Sequence, residues 1–121
     1  MKLHIKDTHT FEQQTFEYGN ECWFVSRLVE KAKDLPVQEM PLTALNTCNL
    51  YPTSKTMAQF VNHVRKVNNA DLSYPIILDD EGYVMDGRHR IAKALLEGKE
   101  TIKFVRFEET PYRDYEKAEN K

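Results

Sequence analysis

The residues best suited to chemistry form one short run, Asp86-Gly87-Arg88-His89-Arg90. It falls between an apolar segment, Tyr83-Val84-Met85, and a segment in which Ile91 stands above Leu95 and Ala92 above Leu96, the spacing of a helix. The run therefore spans a strand-to-helix junction. A helix N-terminus carries about half a positive charge, and each exposed cation placed there costs roughly 0.3–1 kcal/mol. Arg88, His89 and Arg90 place three potential cations at that end. An anion resolves the conflict, because free N–H groups, the helix dipole and guanidinium forks all favour a phosphate at the same spot. Gly87 has no Cβ and permits close approach of a ligand or of backbone. Asp86 has several candidate roles: a helix cap, or a partner for a ribose hydroxyl, a metal or an arginine. The competing structural reading pairs Arg88 and Arg90 with Asp79, Asp80 or Glu81 and buries His89.

The surrounding elements follow from periodicity. Leu3 and Ile5 alternate with polar neighbours and predict a short strand. Asn20 and Glu21 predict the start of an amphipathic helix over 21–34, with Phe24, Leu28 and Ala32 on one face and Pro36 ending it. Val37 to Leu42 predicts an extended edge segment, and Leu42 and Leu45 anchor the next turn. A second helix, capped by Thr53 or Ser54, carries Met57, Phe60, Val61, Val64 and Val67 on one apolar face. His63 lies off that face. Tyr74 to Leu78 and Tyr83 to Met85, around Asp79-Asp80-Glu81-Gly82, predict a β-hairpin. After the third helix, capped by Gly98, Thr101 to Phe107 predicts a last strand, and the charged segment from Glu108 onward predicts a loose tail.

This order gives an α/β (α+β) fold, a small mixed sheet with interleaved helices. It divides into an N-terminal strand and helix over 1–35, a core over 36–108 and a tail over 109–121. At 121 residues the chain fits one compact domain. Seventeen Lys and Arg stand against 19 Asp and Glu, a formal charge of −2, so no global basic field recruits nucleic acid. Any polyanion partner requires a local patch, for which Arg65, Lys66, Arg88, Arg90 and Lys93 are the candidates. No apolar run approaches the roughly 20 residues that span a bilayer, and residues 1–14 lack the apolar region of a secretory signal, so no membrane association and a cytoplasmic location are expected. Cys22 and Cys48 have no C-x-x-C spacing and are expected as free thiols. No i, i+4 histidine pair points to zinc. Trp23 and Phe24 are expected as core or docking anchors.

The block YPIILDDEGYVMDGRHRIAKALLEGKETIKFVRF resembles the core of the ParB N-terminal/sulfiredoxin superfamily, in which a hairpin leads through a Gly-x-x-Arg-type turn into a helix and a strand. The resemblance extends over about residues 38–107. It implies a nucleotide-binding domain, with ATP or another nucleotide laying its phosphates against Gly87, Arg88, His89 and Arg90, with Asp86 just ahead. The helix bearing Thr56, Gln59 and His63 would form a second wall. Magnesium would enter with the phosphates, using Asp79, Asp80 or Asp86. The sulfiredoxin turn requires a cysteine where this chain has Arg88, which excludes that redox chemistry. The closest turn is the D-G-H-H-R-like one of the ADP-dependent free-serine kinases. Their glutamate base has no counterpart here, since no acid occurs between Pro41 and Asp71 and Asn49 falls nearest that position. The implied activities are phosphotransfer or nucleotide hydrolysis. A nucleic-acid-associated accessory module and a non-enzymatic interaction protein are the alternatives.

Overall fold

The structure, a computed structural model, describes residues 14–45 and 55–117. The predicted strand at Leu3–Ile5, the caps Thr53 and Ser54, Cys48 and Asn49 lie outside these residues. The described chain is an α+β fold with three helices and two sheets. No helix among the described residues is long and apolar enough to cross a membrane.

The central sheet has strand order β3-β6-β4-β5, with β3 Gln38–Pro41, β4 Ile76–Leu78, β5 Val84–Asp86 and β6 Thr101–Arg106. β3 runs antiparallel to β6, β6 parallel to β4, and β4 antiparallel to β5. Pro41 lies on an edge strand, where the missing N–H breaks no ladder bond between inner strands. The hairpin between β4 and β5 turns on Asp79, whose Oδ1 accepts from the backbone N–H groups of Glu81 at 2.9 Å and Tyr83 at 2.8 Å. The acidic tip therefore has a folding role.

Strand alternation sends side chains to both faces of this sheet, and each face builds its own core. On one face Ile77, Met85 and Val105 meet Trp23, Leu28 and Ala32. On the other, Ile76, Leu78 and Ile102 meet Leu42, Leu45, Ile91 and Ala94. The last two belong to α3, Arg88–Leu96. This helix ends as predicted: Gly98 takes φ +70°, its N–H reaches the Leu95 carbonyl at 3.1 Å, and Lys99 N–H reaches Ala94 at 2.9 Å. That is a Schellman closure, which satisfies two carbonyls of the last turn.

Three expectations are corrected. Residues 21–24 do not begin a helix: Glu21–Phe24 is a strand, β2, paired with β1 Thr15–Tyr18, and the helix α1 covers only Val25–Ala32. Trp23 and Cys22 bury themselves from this strand, and the ladder satisfies their backbone groups. The tail is not loose over its described part. β7, Tyr115–Glu116, adds to β2, and Trp23 Nε1–H donates to the Pro111 carbonyl at 2.8 Å. The Asp114 carboxylate, almost wholly buried, accepts from Phe24 N–H at 2.8 Å and faces Arg27 Nε at 3.3 Å. These bonds offset the ordering of a polar segment that composition alone would leave free.

The third correction concerns α2, Met57–Asn69. Its apolar stripe does not enter the core: Met57, Phe60 and Val64 are 76%, 55% and 43% exposed, whereas Asn62 is buried. α3 already covers that face of the sheet, so α2 lies against α3 and turns Asn62 and His63 inward. Its start is fixed by a capping box: Thr56 Oγ1 accepts from Gln59 N–H at 3.1 Å, and Gln59 Oε1 accepts from Thr56 N–H at 3.3 Å.

Candidate functional site

Gly87 is the pivot of the site. It is buried, with φ +114° and ψ 17°, and it caps α3 without any side-chain hydrogen bond. A Cβ at this position would lie 2.4 Å from Ile76 Cγ2 and 3.2 Å from Ile76 Cα. The absent side chain thus serves the packing of the helix start on β4. The approach that Gly87 permits is of protein on protein, and it draws the first turn of α3 tightly onto the sheet.

The three cations that follow have different fates. Arg90 donates to Asp86 Oδ2 at 3.0 Å and to the Pro75 carbonyl, so it clamps the end of β5 and the start of β4 to the helix. Asp86 is spent as its partner. The structural alternative weighed for the arginines therefore holds for Arg90, with Asp86 in place of the hairpin acids. Arg88 is exposed, and its guanidinium makes no ion pair or hydrogen bond among the described residues. His89 turns toward α2, where its Nε2 lies 3.3 Å from Nδ1 of His63, with ring centroids 5.5 Å apart.

The electrostatics of this histidine pair are consistent from both sides. Burial, then His63, Lys66 and Arg88 push the pKa of His89 down from 6.5 to about 4, with Asp86 opposing them. Burial, then Lys66 and Arg88 also lower that of His63. Both rings are neutral at pH 7, so one proton is shared across the 3.3 Å gap, and positive charge surrounds them. The α3 N-terminus adds its own partial charge, since no side chain caps the first N–H groups.

Other sequence candidates are reassigned. Thr56 and Gln59 are consumed by the capping box, which leaves His63 as the member of that trio facing α3. Lys93 Nζ closes the C-terminal end of α2 by donating to the Asn68 and Ala70 carbonyls at 3.1 and 2.6 Å. Of the five basic residues proposed for a polyanion, Arg90 and Lys93 are thus committed to structure. Cys22 is a buried free thiol. No group of three or more metal-ligating side chains occurs among the described residues. Two grooves, of about 560 and 280 Å³, open around the C-terminal half of α3 near Lys99. Neither includes Arg88, His89 or His63, and neither is lined by the first turn of a helix as the Arg88 site is.

Sequence reasoning missed the His63–His89 contact. The signal was present in part, since His63 falls off the apolar stripe of its helix, but the partner lies 26 residues away on another helix. No family model matches this chain, and no curated protein or solved structure matches it.

Proposed function

We propose that the protein binds a phosphate-bearing ligand, a nucleotide in the first instance, at the N-terminus of α3. The observation that carries the reading is Arg88. It is an exposed guanidinium without a partner among the described residues, held at an uncapped helix start by a buried glycine. Arg88 supplies a forked donor for phosphate oxygens, and the N–H groups at the helix start supply further donors. Lys66 adds positive potential beside them, and the neutral histidine pair adds ring N–H groups. The resemblance of residues 75–98 to the ParB N-terminal/sulfiredoxin turn supports the same ligand class, with Mg²⁺ entering on the phosphates.

Arg90 and Asp86 act differently in this reading: they position the turn and do not contact the ligand. The reaction class that the resemblance implies is phosphotransfer or nucleotide hydrolysis, in a protein of the cytoplasm. Isothermal titration of the protein with ATP, ADP, CTP and GTP in the presence of Mg²⁺ tests it. Saturable binding of at least one nucleotide is expected, weakened tenfold or more by Arg88→Ala. Absence of binding to the folded protein at millimolar nucleotide overturns the reading.

A further inference from the structure

We propose that the His63–His89 pair takes up one proton from solvent when a phosphate-class anion docks beside Arg88, so that the site binds anion and proton together. The inference rests on the phosphate reading above and adds how that site responds to pH.

The geometry carries it. The two rings come from different helices and approach through one nitrogen each, 3.3 Å apart, with their centroids 5.5 Å apart. Two neutral imidazoles in this arrangement share a single N–H: one nitrogen donates and the other accepts. A second proton gives one ring both of its N–H groups, and the other ring still accepts across the gap. The pair can thus hold an extra proton without losing its mutual hydrogen bond.

What prevents this in the free protein is burial of the rings first, and the surrounding field second. Among the described residues, the charged groups bearing on His89 are Lys66 from α2, Arg88 from its own helix and Asp86 from the end of β5; those bearing on His63 are Lys66 and Arg88. Cations outnumber the one acid, and that acid is paired to Arg90. Together with burial, they hold both rings neutral. A phosphate against Arg88 offsets the positive part of that field, since it brings up to two negative charges to within a few ångströms of the cations that dominate it. The protonated form gains stability relative to the neutral one, and the pKa of the pair rises on binding. By linkage, binding must then strengthen as pH falls through the range in which the free rings are still neutral.

The experiment is titration calorimetry with ADP at pH 6.5 in buffers of different ionisation heat, which gives the protons taken up per ligand bound. Wild type is compared with the double variant His63→Gln, His89→Gln, in which the nucleotide's own phosphate can change protonation and the pair cannot. An excess uptake of about half a proton or more in wild type is expected. In parallel, imidazole ¹⁵N shifts of wild type, recorded with and without ADP, report the protonation of His63 and His89 directly and do not depend on the variant's folding or affinity. Binding with unchanged imidazole ¹⁵N shifts overturns the inference and leaves the phosphate site standing. No binding of any nucleotide at millimolar concentration overturns both.

Discussion

Replacing Gly87 by alanine isolates the feature on which the site is built. The added Cβ meets Ile76 at 2.4 Å from Cγ2, 2.8 Å from Cβ and 3.2 Å from Cα. The last contact is with backbone of an inner strand, so a side-chain rotation cannot relieve it. Overpacking of this kind costs about 1–3 kcal/mol. The backbone at φ +114° adds roughly 1–2 kcal/mol for any residue with a Cβ. A loss of about 2–5 kcal/mol follows if the two contributions add. Urea denaturation of wild type and G87A, followed by circular dichroism, measures it. Repeating the pair in an Ile76→Ala background removes the nearest atom, Cγ2, so the further cost of G87A should fall by about 1 kcal/mol or more, with the backbone strain remaining. A loss below about 1 kcal/mol in the wild-type background would refute the close packing of the α3 start on β4.

Further outcomes follow from the same contacts. His89 is neutral in the folded protein down to about pH 4, whereas the unfolded chain binds a proton at about 6.5, so its contribution to stability is complete above 6.5 and is lost as pH falls toward 4. The full difference corresponds to about 3 kcal/mol, reduced to roughly 1–2 kcal/mol by solvent screening of a ring that is partly exposed. Urea midpoints between pH 7.5 and 4.5 should therefore fall more steeply for wild type than for His89→Gln, and parallel curves would contradict the shift. Asp114→Ala leaves the Phe24 N–H without its acceptor and Arg27 without its partner; a loss of about 2–3 kcal/mol and faster hydrogen exchange in β7 are expected. Thr56→Ala removes one half of a capping box and should cost about 1 kcal/mol, read from the same denaturation curves.

The elements that were legible in the sequence are those whose residues act locally. The β4–β5 hairpin follows from two short apolar runs around Asp79 and Gly82, and α3 follows from its period and from Gly98. The first helix was misplaced because Cys22, Trp23 and Phe24 suit a strand as well as a helical face. The deciding cue was Gly19-Asn20, a two-residue turn between Phe16/Tyr18 and Cys22/Trp23, with Gly19 at φ +61°. The docking of 108–117 depends on a pairing with β2 some 90 residues away, which no local pattern encodes. Along α2 the period correctly marks a helix, but which side turns inward is set by the space that α3 leaves. At the site, the turn and its cations were legible; the division of labour was not. Arg90 is committed to Asp86 and Arg88 is not, a difference that depends on which side of the first turn faces β4 and β5.

The central claim is that an anionic ligand docks at the first turn of α3. Its most direct test is a nucleotide titration followed by ¹⁵N–¹H correlation spectra of wild type and Arg88→Ala. The account predicts saturable shifts of the Arg88, His89 and Arg90 amides and of the His63 side chain, reduced at least tenfold in affinity in the variant while its other resonances stay in place. Shifts confined to other parts of the protein, or none at millimolar nucleotide, would contradict it.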